Sequence, residues 1–67
     1  MTATKEQQRL LDFLCEKYDL AEKAGNQIKQ LEMIDRIILF DEDHPGIISK
    51  EKLEKIKQIG EEILKNL

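Results

Sequence analysis

The stretch FDEDHPGIIS, residues 40–49, brings together Asp41, Glu42, Asp43, the chain's only histidine, His44, and its only proline, Pro45. Carboxylates beside an imidazole can ligate a divalent cation or move a proton. The residue types suit either chemistry, but their number and spacing do not. A zinc site needs three or four converging ligands, and acid–base work needs a group within hydrogen-bond reach of a positioned reactant. One histidine in a short acidic run offers neither, so a solvated loop residue is expected. Cys15, the single thiol, has no neighbouring histidine or helix start to activate it and reads as a small core residue. Neither metal nor cofactor is expected, and the chain reads as non-enzymatic.

Over a longer window, FDEDHPGIISKEKL resembles an EF-hand helix-loop-helix, with flanking helices extending the likeness to roughly residues 34–60. Asp41 and Asp43 stand at loop positions 1 and 3, Gly46 at 6 and Ile48 at 8, with Leu53 just after position 12. The resemblance implies a calcium-responsive module with Asp41 and Asp43 as first ligands. Two ligand positions depart from it. Pro45 at position 5 has no side-chain oxygen, and Lys52 replaces the bidentate glutamate at position 12 with a cation. Glu51 is one residue early, about 100° away on a helix.

Three helices must position this segment, and no stretch alternates with the period of a strand. The first is predicted from Lys5 to about Ala24, with Thr4 and Gln7 spaced as a capping box. Gly25 reads as a left-handed stop and Asn26 as the next cap, giving a second helix over about 27–40. The alternative is one long helix over 5–40 followed by a short one over 50–66, because an internal glycine costs only about 1 kcal/mol. Ser49 caps the third helix, and Ile48 and Leu53 have hydrophobic-staple spacing. Leu53, Ile56, Ile59, Ile63, Leu64 and Leu67 form its apolar stripe, with Gly60 inside it, and Glu51–Lys55 and Glu61–Lys65 are spaced as ion pairs on the other face. Residues 14–43 also loosely resemble one tetratricopeptide-type hairpin through AGN and IILFDED. Gln30 stands where that pattern has a small residue, and such repeats need about three copies.

The first two helices carry more apolar surface than a hairpin needs. Apolar residues cover roughly 220° of the first, and Leu31 to Phe40 cover about 180° of the second, with Ile28 and Leu39 outside that arc. A helix this apolar contacts neighbours on two sides, and the second neighbour is expected to be another molecule. Leu11, Phe13, Cys15, Tyr18, Met33, Ile37 and Phe40 are the expected partner interface.

Charge and size narrow the class. The chain has 67 residues and a net charge of −3, equal to that of Asp41, Glu42 and Asp43 together. These acids oppose the dipole where the second helix ends, and Lys50 and Lys52 oppose it where the third begins. A loop that folds back would let them compensate, so Asp41, Glu42, Asp43, His44, Lys50 and Lys52 are expected to form a charged hinge. With three aromatic residues and no basic stripe, nucleic-acid binding is not expected. The opening MTATKEQQ lacks a signal pattern, the longest apolar run is far short of the roughly 20 residues that span a bilayer, and the lone thiol fits a reducing compartment. These features predict a cytoplasmic all-α protein with no membrane partner: a compact three-helix bundle, a hairpin plus a third amphipathic helix. It would bind protein, as a homodimer or other homo-oligomer or as a small regulator or inhibitor of a larger target.

Overall fold

The computed structural model describes residues 3–67; Met1 and Thr2, the start of the MTATKEQQ segment, lie outside them. Three helices follow in order: α1 (Lys5–Lys23), α2 (Gln27–Asp43) and α3 (Lys50–Lys65). The fold is an all-α three-helix bundle.

Each helix end has a local chemical reason. Thr4 Oγ1 accepts from Gln7 N at 3.1 Å while Gln7 Oε1 accepts from Thr4 N at 3.0 Å, completing the capping box. At the other end of α1, Asn26 N donates to Ala21 O at 2.9 Å and Gly25 N to Glu22 O at 3.0 Å. This is the Schellman pattern, and it needs a left-handed residue, which Gly25 supplies with φ of 69°. Asn26 then caps α2 by accepting from Lys29 N at 3.0 Å. The single long helix over 5–40 is therefore not formed. Ser49 caps α3, its Oγ accepting from Lys52 N at 3.3 Å.

The end of α2 differs from expectation. The helix runs on through Asp41, Glu42 and Asp43, and His44 caps it by donating its N–H to Phe40 O at 2.8 Å. Misplaced acids at a helix end cost only about 0.3–1 kcal/mol each. Continued backbone hydrogen bonding, with Phe40 buried beside it, outweighs that penalty. The acids are thus helical, and the connection to α3 spans residues 44–49, turning at Pro45 and Gly46.

α2 packs against both neighbours, whereas the Cα atoms of α1 and α3 nowhere approach within 8 Å. Leu11 and Leu14 from α1, Met33, Ile37 and Phe40 from α2, and Ile48 from the connection form the core, with Leu53 and Ile56 of α3 packed on it. Farther along, the α2–α3 contact closes where Gly60 faces Ile34. The expected Glu51–Lys55 and Glu61–Lys65 pairs are absent; among the described residues, ion pairs within 4.0 Å are Lys29–Glu32 at 3.2 Å and Arg36–Glu32 at 3.3 Å.

A Cβ built on Gly60 would lie 3.6 Å from Ile34 Cγ2, ordinary van der Waals contact. Gly60→Ala should therefore gain helix propensity without a clash, stabilising the fold by about 0.5–1 kcal/mol. That gain should raise the melting temperature by about 2–8 °C in a domain of this size. A lower melting temperature would show that the helices cannot accept the methyl group.

Candidate interaction surface

The expected interface is largely spent inside the molecule. Leu11, Met33, Ile37 and Phe40 are buried in the core, and Cys15 and Tyr18 are half-buried against it. The reason is topological: α2 lies between α1 and α3, so the second neighbour that its apolar arc demands is α3. Of the seven residues, only Phe13 is clearly exposed, at 53 %.

Other residues join Phe13 outside. Leu10 is 47 % exposed and Leu39 56 %. They flank a furrow between α1 and α2, on which two shallow hollows of about 210 and 240 Å³ open. Leu14 and Arg36 line both hollows, so the two adjoin along the furrow. Leu10, Leu39, Asp43 and His44 lie at one end, and Phe13, Lys17, Lys29 and Glu32 at the other. Lys17 Nζ stands 5.4 Å from the Phe13 ring centroid, in cation–π range. Glu32 sits between Lys29 and Arg36, whose positive charges hold its carboxyl below the usual range, the Lys29 hydrogen bond contributing most. The signal for this face was present in the second helix, where Ile28 and Leu39 fall outside the core-facing arc.

The hinge residues do not gather as expected. Asp41, Glu42 and Asp43 are on α2, and neither Lys50 nor Lys52 forms an ion pair with them within 4.0 Å. Lys52 instead shares a hollow of about 220 Å³ with Cys15, Tyr18, Asp19, Ile37 and Ile56, in the gap between α1 and α3. With Asp41 and Asp43 helical, the connection is too short to serve as a twelve-residue calcium loop. Among the described residues no group of three or more His, Cys, Asp or Glu side chains is placed to hold a metal ion.

His44 is not a solvated loop residue. It is half-buried, with its ring tilted against Phe40 at 5.0 Å between centroids, and Gln7 Nε2 donates to its Nδ1 at 3.1 Å. Gln7 Oε1 is already engaged with Thr4 N, which leaves the amide N–H to face Nδ1. Gln7 therefore closes the α1 cap and ties it to the end of α2. Gln30 was also missed as a core residue. It is the buried polar residue of α2, beside Tyr18, whose hydroxyl donates to Glu22 Oε2 at 3.3 Å.

No protein-family model matches the chain, and no curated protein or solved structure shows significant similarity to it. Among the described residues no helix is long and apolar enough to cross a membrane.

Two measurements check these contacts. Gln7→Ala removes both the capping-box return and the His44 link, and should cost about 1–2 kcal/mol. Gln8→Ala, losing only an exposed contact to Asp12, should cost much less; equal losses would deny Gln7 its double role. Burial raises the Tyr18 hydroxyl above its ordinary value, with Gln30 opposing and Glu22 adding to the shift. A raised native pKa means the associated stability is intact below about pH 10 and is lost as pH climbs through the native value. Phenolate absorbance should show a midpoint above 10 in the folded chain, and Tyr18→Phe should flatten the alkaline loss of stability. A midpoint at or below 10 would contradict the burial.

Proposed function

We propose that this protein is a non-enzymatic protein–protein interaction module whose contact surface is the outer α1/α2 face. The observation that carries the reading is the half-exposed set Leu10, Phe13 and Leu39, grouped around one furrow with cations among them. Apolar groups clustered at a concavity, rimmed by charge, are what a partner can desolvate, whereas scattered single exposures need no such account. Aromatic and arginine side chains are the usual anchors of such a patch; Arg36 lines both hollows and Phe13 one of them. The lone half-buried Cys15 is compatible with work in a reducing compartment such as the cytoplasm. Such a module acts by occupying a surface, on a copy of itself or on a larger protein that it regulates or inhibits.

A photo-crosslinking residue at position 13, compared with one at Glu62 on the exposed side of α3, tests the assignment in the native host. Position 13 should give a discrete protein adduct and position 62 should not. Equal labelling at both positions, or none at 13, would remove the α1/α2 face as the contact surface.

A further inference from the structure

We propose that Gln7 and His44 form an acid-released latch, in which gain of a proton by the His44 ring frees the start of α1 from the end of α2.

The latch is one amide bonded at both ends. Gln7 Oε1 accepts from Thr4 N at 3.0 Å, and Gln7 Nε2 stands 3.1 Å from His44 Nδ1. A backbone N–H can only donate, so Thr4 decides which amide atom faces the ring. The bond to His44 therefore exists only while Nδ1 carries a lone pair. An imidazolium donates from both nitrogens and would set N–H against N–H at this contact. Turning the amide over would offer Oε1 to the ring. It would also bring the amide N–H against Thr4 N and break the capping-box return. Either way, one of the two bonds is lost.

The end of α2 makes the opposite demand. His44 caps the C-terminal end of that helix, where a cation suits the dipole. Asp41, Glu42 and Asp43 precede it in the last turn. Asp43 lines the same hollow as His44, with Arg36 as the opposing cation. α1 faces that hollow through Leu10 and Leu14, which do not titrate, and α3 contributes no residue to it. Among the described residues no carboxylate oxygen comes within 4.0 Å of a ring nitrogen, so no ion pair holds the ring. The bond that caps α2 runs from the His44 backbone N–H to Phe40 O and is the same in both forms of the ring. The proton therefore removes the tie to α1 and leaves the cap of α2 in place.

Histidine is the side chain whose charge changes between about pH 5 and 8, so the release falls in that range. Leu10 lies one turn after Gln7 and lines the hollow beside His44. The latch thus pins the Leu10 end of the furrow, and its release lets that end of α1 draw away from α2.

Melting followed by circular dichroism at pH 8 and pH 5 tests the latch. Its bond needs the neutral ring, so its contribution is intact at pH 8 and is lost as pH falls through the imidazole range. Gln7→Ala removes the latch and the cap return at pH 8, but only the cap return at pH 5. The drop in melting temperature that it causes should therefore be roughly 2–12 °C smaller at pH 5. A His44→Phe background keeps an aromatic ring beside Phe40 but has no acceptor. There the drop caused by Gln7→Ala should be the same at both pH values. An equal drop at pH 8 and pH 5 in the natural chain would overturn the latch. The same shrinkage in the His44→Phe background would overturn it too, by tracing the effect to the carboxylates.

Discussion

The structure depends on one helix having two neighbours. No Cα atom of α1 comes within 8 Å of one in α3, so the close helix–helix approaches are all made by α2. Met33, Ile37 and Phe40 hold α1 and the connection, and Ile34 meets α3 at Gly60. Each large apolar side chain fully buried contributes about 1.5–3 kcal/mol. Those contributions concentrate on α2, and in a chain of this size no second core can compensate for their loss. The bundle is accordingly an open one, with α2 as its spine and concavities along both flanks.

That arrangement explains why the helix ends are so explicitly capped. With so few long-range contacts, the angles at which α1 and α3 leave α2 rest on the turns. Between α1 and α2 the Schellman bonds and the Asn26 cap share two residues, leaving little freedom. Between α2 and α3, the His44 cap and Ile48, buried in the core, fix both ends of the connection. Gln7 adds a bond from the start of α1 to His44, near the core end of α2, 37 residues away in sequence.

The helices and their caps were legible because they are local. Thr4–Gln7, Gly25–Asn26 and Ser49 each determine backbone bonds within a few residues, and all formed as their spacing implies. What was not legible depended on which neighbour takes which face. Periodicity showed that α2 has too much apolar surface for one neighbour, but α3 satisfied that demand before another chain was needed. The acidic run misled for a related reason. Composition marks Asp41 to Asp43 as loop, while the burial of Phe40 and the His44 cap keep them helical. Gln7 likewise reads as a capping residue only, because its bond to His44 is set by tertiary structure. Ile28 and Leu39, lying off the core-facing arc, were the legible trace of the outer surface.

The two flanks of α2 are not equivalent, and their difference shows which leaves more apolar surface in water. The gap between α1 and α3 is floored by Ile37 and Ile56 and edged by Lys52 and Asp19. Ile37 is already buried, and a lysine stem can lie across such a floor while its ammonium stays in water. That flank keeps a hollow of about 220 Å³, but its apolar floor is already buried or half-buried. On the α1/α2 flank, Lys17 lies over Phe13 alone, and Leu10 and Leu39 have no comparable cover. Their half-exposed surface remains in water in the single chain. Burying it needs atoms from outside the single chain.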